Sequence, residues 1–130
     1  MRAVTTFLMF EGQAEEAMRF YTSVFDDGEI VSITRYDDAG PGTPGSVLRA
    51  VFTLAGREFM AIDSSVHHAF TFTPSISLFV DCESEDEVDS LAGRLGEGGQ
   101  VLMPVGEYGF SRRFGWVTDR FGVSWQLNCA

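Results

Sequence analysis

Residues 4–25 read VTTFLMFEGQAEEAMRFYTSVF and change from a strand pattern to a helix pattern within a few positions. The segment from Val4 to Phe10 is apolar and rich in β-forming residues, which predicts a strand. Glu11-Gly12-Gln13 predicts a turn. From Ala14 to Phe25, apolar residues recur at helical spacing, so this stretch predicts an amphipathic helix. Asp26-Asp27-Gly28 ends it, with Gly28 expected as a left-handed cap.

Three further strands follow in the first half of the chain. Glu29–Tyr36 alternates as a strand, and the Gly- and Pro-rich segment 37–45 predicts a loop. Val47–Leu54 and Glu58–Asp63 predict a hairpin around Ala55-Gly56-Arg57. The first half therefore has the order β-α-β-β-β.

The second half repeats this order after a connection, Ser64–Pro74. Ser84 and Glu87 have the spacing of a capping box at the start of a second helix. The predicted strands around this helix are Ile76–Val80, the short segment Gln100–Met103, and a last hairpin of Phe114–Asp119 and Val123–Asn128; Gly106–Arg113 is predicted as a loop.

Repetition of one element order predicts the fold class. It is α+β, built from two βαβββ modules at approximately residues 1–65 and 74–130, within a single domain of residues 1–130. We expect each helix to cover one face of its own sheet. The two uncovered faces would then form a cleft that can accept a small molecule.

Charge and cysteine content narrow the possible partners. The formal net charge is -10, and all nine basic residues are arginine. An acidic surface repels nucleic-acid phosphates and anionic membranes, so neither is an expected partner.

The two cysteines, Cys82 and Cys129, do not form a zinc pattern and are expected to be poor nucleophiles; acidic neighbours should raise the pKa of Cys82. Few cysteines and no apolar leader predict a soluble, cytoplasmic protein.

Several stretches, taken together, resemble a known family. Phe10–Tyr21 carries its opening motif, Ile76–Cys82 resembles the start of the second half, and Gly115–Leu127 resembles the close. Two segments that lie between the first two of these, Thr34-Arg35-Tyr36 and Pro44–Leu48, also resemble the family. The chain thus resembles the PhnB-like, 3-demethylubiquinone-9 3-methyltransferase-like branch of the vicinal-oxygen-chelate (glyoxalase-like) superfamily over nearly its whole length.

The resemblance implies paired βαβββ modules and a homodimer. It does not imply methyl transfer, because no Gly-rich strand-to-helix turn or doubly wound sheet is available for a nucleotide cofactor. We therefore expect no S-adenosylmethionine binding and no cofactor.

Metal enzymes of the superfamily bind their ion through the first and last strands of each half. Those positions fall near Thr5, Ser75, Asp63 and Gln126 in this sequence. Hydroxyl groups are poor ligands for zinc, nickel or iron, so no firm metal site is expected. His67 and His68 are interpreted as surface or dimer-contact residues. Asp63 and Gln126 are expected to be polar residues that bind a ligand in the cleft.

Aromatic and arginine residues supply the remaining candidates. Tyr108, Arg112 and Trp116 belong to a cluster that could close over a small aromatic or anionic ligand, with arginine clamping a carboxylate. A dimer interface is the alternative, because such residues are also enriched there. Tyr36 is a candidate for the pocket rim, and Arg35 is expected to pair with Asp37.

Three functions remain open. The first is a protein that binds a small organic ligand between its sheets without a firm metal site. The second is a metal-dependent lyase or dioxygenase, and the third is a non-catalytic dimeric module. Neither a substrate nor a reaction follows from the sequence.

Overall fold

The computed structural model describes residues 1–130. Its two helices and eight strands, in chain order, are β1 (Thr6–Phe10), α1 (Ala14–Val24), β2 (Glu29–Arg35), β3 (Val47–Leu54), β4 (Arg57–Asp63), β5 (Leu78–Asp81), α2 (Glu85–Gly96), β6 (Gln100–Tyr108), β7 (Ser111–Thr118) and β8 (Ser124–Cys129). The chain divides into two compact units, Met1–Ala69 and Phe70–Ala130. Each unit has the order β-α-β-β-β, so the predicted α+β class and duplicated βαβββ architecture are confirmed.

The first unit is a four-stranded sheet in the order β1-β4-β3-β2. Its first and last strands, β1 and β4, run parallel side by side, while the other neighbours are antiparallel. Helix α1 buries Ala17, Met18 and Tyr21 completely, and the Tyr21 ring stacks on that of Phe52 in β3. The buried side chains of the sheet therefore face α1.

Backbone geometry explains the hairpin between β3 and β4. Ala55 and Gly56 adopt positive φ angles of 51° and 74°. Two successive left-handed residues form the tight turn that matches the twist of paired strands. The carboxylate of Asp27 also accepts a hydrogen bond from the Ala55 amide at 3.0 Å. The predicted hairpin is confirmed.

The second unit repeats this plan with the strand order β5-β8-β7-β6, and β5 is parallel to β8. The predicted cap is present, because the Ser84 hydroxyl accepts a hydrogen bond from the Glu87 amide at 3.1 Å. The Glu87 carboxylate returns to the Glu83 amide, one residue before the cap. Helix α2 buries a stripe of four apolar residues at helical spacing: Val88, Leu91, Ala92 and Leu95.

The predicted loop at Gly106–Arg113 is wrong. Strand β6 continues to Tyr108 and β7 begins at Ser111, so the two form a hairpin across Gly109 and Phe110. The pairing has three register shifts, which accommodate Pro104 and the glycines within strands. Rings of Tyr108, Phe110 and Phe114 pack together, with centroids 5.1–5.8 Å apart. This aromatic packing offsets the low strand propensity of the segment.

Neither helix has the length and apolar character needed to cross a membrane.

Candidate functional site

Strand β8 turns Gln126 away from the helix of its unit. Trp125 and Leu127, on either side of it, are 1% and 0% exposed. Side chains alternate between the two faces of a strand, so Gln126 lies on the face that α2 does not cover. Gln126 itself is half-buried.

Two aromatic residues flank Gln126 on that face. It pairs in register with Phe79 of β5 on one side and with Trp116 of β7 on the other. Phe79 is 55% exposed, and Trp116 is half-buried. Residues directly opposite each other across paired strands share a face. The result is a row of ring, amide and ring across three strands.

Hydrogen bonds join this row to two serines. The Trp116 indole Nε1–H donates to Ser124 Oγ at 2.8 Å, and Ser124 Oγ lies 2.7 Å from Ser77 Oγ. Gln126 Nε2 donates to Ser77 Oγ at 3.2 Å. We refer to Trp116, Ser124, Ser77 and Gln126 as the Gln126 network.

The hydroxyl protons can be assigned from burial. Ser124 is 2% exposed, so its proton is satisfied only if it donates to Ser77. Ser77 then accepts two hydrogen bonds and keeps its own proton for an outside acceptor. Gln126 Oε1 has no donor within the protein, so it can accept from a ligand. The network therefore presents one donor and one acceptor beside exposed aromatic surface.

Asp63 lies elsewhere, in the interior of the first unit. It is 3% exposed, and its carboxylate accepts hydrogen bonds from three amides: Gly12 at 2.8 Å, Ala14 at 2.9 Å and Val47 at 2.9 Å. Residue Gln13, at the helix start, makes no side-chain cap. Asp63 thus caps α1 from 49 residues away along the chain and fixes the start of β3.

Tyr36 belongs to the same internal arrangement. It is 7% exposed, and its hydroxyl donates to the backbone oxygen of Asp63 at 3.0 Å. The expected pairing of Arg35 with Asp37 is wrong: Arg35 contacts Glu15 at 2.6 Å. Hydrogen bonds from Arg35 and then Arg19 lower the pKa of Glu15 to about 2. This ion pair joins β2 to α1.

The predicted aromatic and arginine cluster is divided by the hairpin of β6 and β7. The Tyr108 hydroxyl donates to the Pro104 carbonyl at 2.7 Å, and its ring packs on Phe110 and Phe114. Arg112 points toward the start of α2, where it contacts Cys129 and Glu85. Trp116 lies four residues further along β7, about 13 Å from Arg112 at the rise of a strand. The candidates thus fall into two separate pairs, Trp116 with Gln126 and Tyr36 with Asp63, while Tyr108 and Arg112 join neither.

His67 lines an open pocket of about 360 Å³ in the first unit, together with Glu11 and Asp63. The Glu11 carboxylate contacts His67 Nδ1 at 2.7 Å and accepts from the His68 amide at 3.2 Å. The hydrogen bond from His67 is the main reason that the pKa of Glu11 lies below its usual value. His68 Nε2 contacts the Ser64 hydroxyl at 2.9 Å. These contacts tie the segment after β4 to the turn after β1.

The donor groups do not fit a firmly bound divalent ion. No three His, Cys, Asp or Glu side chains come together anywhere in residues 1–130. Of the four positions suggested by the superfamily, Asp63 is buried and already accepts hydrogen bonds from three amides. Gln126 offers a neutral amide, and Thr5 and Ser75 offer only hydroxyls. Divalent metals select imidazole, thiolate or carboxylate ligands.

Three residues with a role in the structure or in the candidate site were not predicted from the sequence. Ser77 and Ser124 complete the Gln126 network, and their signal is positional, because they share the period-2 face of Gln126. Asp119 is 2% exposed and accepts from the Phe121 and Val123 amides and from Trp125 Nε1, at 2.9–3.0 Å. The sequence does carry a signal for this role of Asp119: it is an aspartate at the start of a predicted turn, and a tryptophan follows six residues later.

A family model matches residues 2–128 and carries the description 3-demethylubiquinone-9 3-methyltransferase. No curated protein matches the chain. Neither sheet of this structure is a doubly wound parallel sheet of the kind that holds nucleotide cofactors. No methyl-transfer step follows from its geometry.

Solved structures resemble the chain over its full length. A PhnB protein from Bacillus cereus is 60% identical, with 99% of this chain and 100% of that one covered and a TM-score of 0.95. Protein PA1353 from Pseudomonas aeruginosa is 28% identical, with 99% and 98% covered and a TM-score of 0.82. The fosfomycin resistance protein FosX from Listeria monocytogenes, at 14% identity, covers 100% and 93% with a TM-score of 0.63 and shares the fold.

Proposed function

We propose a ligand-binding function for this chain, which belongs to the 3-demethylubiquinone-9 3-methyltransferase family, the PhnB-like branch of the vicinal-oxygen-chelate superfamily. It binds a small aromatic organic molecule on the second sheet, over the Gln126 network, without a firmly held metal ion. The observation that carries the proposal is the row of Phe79, Gln126 and Trp116.

The chemistry of the row defines the ligand class. Ring faces on both sides of an amide favour a flat apolar body. The free Gln126 Oε1 and the Ser77 hydroxyl favour a ligand that carries both a donor and an acceptor, such as an amide or a carboxylic acid. The network already holds the Gln126 amide in place, so little side-chain entropy is lost on binding.

Nuclear magnetic resonance titration with benzamide and acetanilide, each of which carries a donor and an acceptor, tests the proposal. We expect the indole N–H of Trp116 and the side-chain amide of Gln126 to shift, while the buried indole of Trp125 does not. Gln126→Ala should weaken binding about tenfold, because a single hydrogen bond contributes about 1.4 kcal/mol. Gln100→Ala, at an exposed glutamine of β6, is the matched control and should bind as the wild type does.

Two results would contradict this assignment. In one, neither probe moves the Trp116 resonance at millimolar concentration. In the other, Gln126→Ala binds with unchanged affinity while the Trp116 shift persists.

We also infer a homodimer, supported by the uncovered face of the first sheet. Phe7 pairs in register with Met60, and Met9 with Ile62, so four apolar side chains form one patch. Phe7 is 53% exposed, and the other three are half-buried. Contiguous exposed apolar surface is typical of protein interfaces.

A cytoplasmic location, supported by two unbridged cysteines, is part of the same proposal.

Light scattering after gel filtration tests the dimer. Phe7→Asp should weaken dimerisation by at least about tenfold, because it places a charge in an apolar contact. Val101→Asp, at a residue 62% exposed on β6, should leave the mass unchanged. A wild-type mass equal to that of one chain at 50–100 µM, roughly the upper range of specific weak dimers, would refute the inference.

A further inference from the structure

The parallel pairing of β5 and β8 brings the two cysteines side by side. The register ends at Asp81 opposite Asn128, and one more ladder bond follows, from the Cys82 amide to the Asn128 oxygen at 2.7 Å. The next residue on each side is a cysteine: Cys82 directly follows the end of β5, and Cys129 is the last residue of β8. Both are free thiols.

The two thiols also share a face of the sheet. Leu78 and Val80 pair with Trp125 and Leu127 on the α2 side, and the period of two continues that face to Cys82 and Cys129. Directly paired strands lie about 4.8 Å apart, within the Cα separation of about 4.4–6.8 Å that a disulfide requires. A bond between the sulfurs therefore requires side-chain rotation rather than movement of a strand.

The environments of the two sulfurs differ in charge. Arg112 Nη2 donates to Cys129 Sγ at 3.0 Å, which places a positive charge against that sulfur. Burial, and then the Glu87 carboxylate, raise the pKa of Cys82 to about 11. The sequence predicted a raised pKa for Cys82 from its acidic neighbours; the pKa is raised, but burial is the main cause. Of the two sulfurs, Cys129 is therefore the one with a cationic neighbour, and Cys82 is the one with an acidic neighbour.

Solvent lies close to the Cys129 sulfur. Cys129 is 2% exposed, but the Arg112 side chain that covers it is 60% exposed. Arg112 also lines an open hollow of about 440 Å³ together with Glu83, Ser84, Glu85 and Asp86. The Arg112 guanidinium therefore joins this hollow to the Cys129 sulfur, and a small oxidant in the hollow approaches the sulfur beside the guanidinium.

We propose that Cys82 and Cys129 form a redox modification site that hydrogen peroxide oxidises to a reversible intramolecular disulfide. The Cys129 sulfur attacks one peroxide oxygen, the O–O bond breaks, and the departing hydroxide takes the thiol proton as water. The resulting sulfenic acid is attacked by the Cys82 sulfur, the S–O bond breaks, and a second water leaves with the Cys82 proton. Two thiols are oxidised and one peroxide is reduced to two waters.

Peroxide treatment of the folded protein, followed by alkylation and intact-mass measurement, tests the site. The wild type should lose two hydrogen atoms per chain, resist alkylation at both cysteines, and recover both thiols with dithiothreitol. Cys82→Ser should stop at a sulfenic acid on Cys129, detected as a dimedone adduct. Arg112→Gln should oxidise several-fold more slowly than Arg113→Gln, whose arginine pairs with Asp89 instead.

Two outcomes would overturn the proposal. One is that both thiols of the peroxide-treated wild type remain open to alkylation on unfolding. The other is a disulfide that joins two chains, which denaturing non-reducing electrophoresis separates from the intramolecular product. Equal oxidation rates for Arg112→Gln and Arg113→Gln would overturn the role of Arg112 alone.

Discussion

Replacement of Asp63 by alanine should lower the free energy of unfolding by about 3–5 kcal/mol, because three amide N–H groups lose a charged acceptor at once. Two of these amides begin α1 and the third begins β3, so a single truncation loosens two elements of the first unit. Urea denaturation followed by circular dichroism measures the loss.

Two further variants sharpen the test of Asp63. Asp63→Asn keeps one acceptor oxygen but turns an NH₂ group toward an amide, so its loss should fall between those of the wild type and the alanine variant. Glu58→Ala, at an exposed carboxylate of the same strand, should change stability by about 0.5 kcal/mol or less. A stable Asp63→Ala protein that had lost only ligand binding would show that Asp63 serves a ligand rather than the fold.

Trp125→Ala should destabilise the second unit to a similar extent, by about 3–5 kcal/mol. Trp125 is the largest fully buried side chain, and it pairs in register with Leu78 and Val117 between β5 and β7. Its removal leaves a cavity against α2 and deprives the buried Asp119 carboxylate of the indole donor at 2.9 Å. Chemical denaturation of the purified variant provides the measurement.

Trp125→Phe separates the hydrogen bond from the volume. Phenylalanine fills much of the space but cannot donate to Asp119, so about 1–3 kcal/mol should be lost. If the phenylalanine and alanine variants were equally unstable, the hydrogen bond to Asp119 would account for the whole effect. If neither variant were destabilised, Trp125 would not be a core residue.

Elements with a clear periodicity were predictable. The α2 stripe, the Ser84 cap and the turn at Ala55-Gly56 follow from spacing alone, because each depends on local chemistry. The prediction of a left-handed cap at Gly28 is wrong, because the role of this glycine depends on a contact outside its local sequence. Its φ is not positive; a Cβ there would lie 2.5 Å from Thr22 Cα, so the glycine permits a close backbone approach that no local pattern reveals.

The candidate site was only partly predictable for the same reason. Trp116 and Gln126 occupy one face of neighbouring strands, and the strand period identifies such residues. Asp63 and Tyr36 have residue types that fit a pocket, yet their partners are backbone atoms distant in sequence. Arg112 leaves the strand face because Cys129 and Glu85 lie beside it. Side-chain direction at the end of a strand depends on tertiary neighbours, which composition does not encode.

The parallel pairing within each unit has a kinetic consequence. Gly12 and Asp63 are 51 residues apart, and Ser77 and Gln126 are 49 apart, so the first and last strands of each unit pair only after nearly a whole module has been collected. Closing so long a loop costs entropy before any contact repays it. We therefore expect the hairpins β3–β4 and β7–β8 to form before β1 and β5 dock.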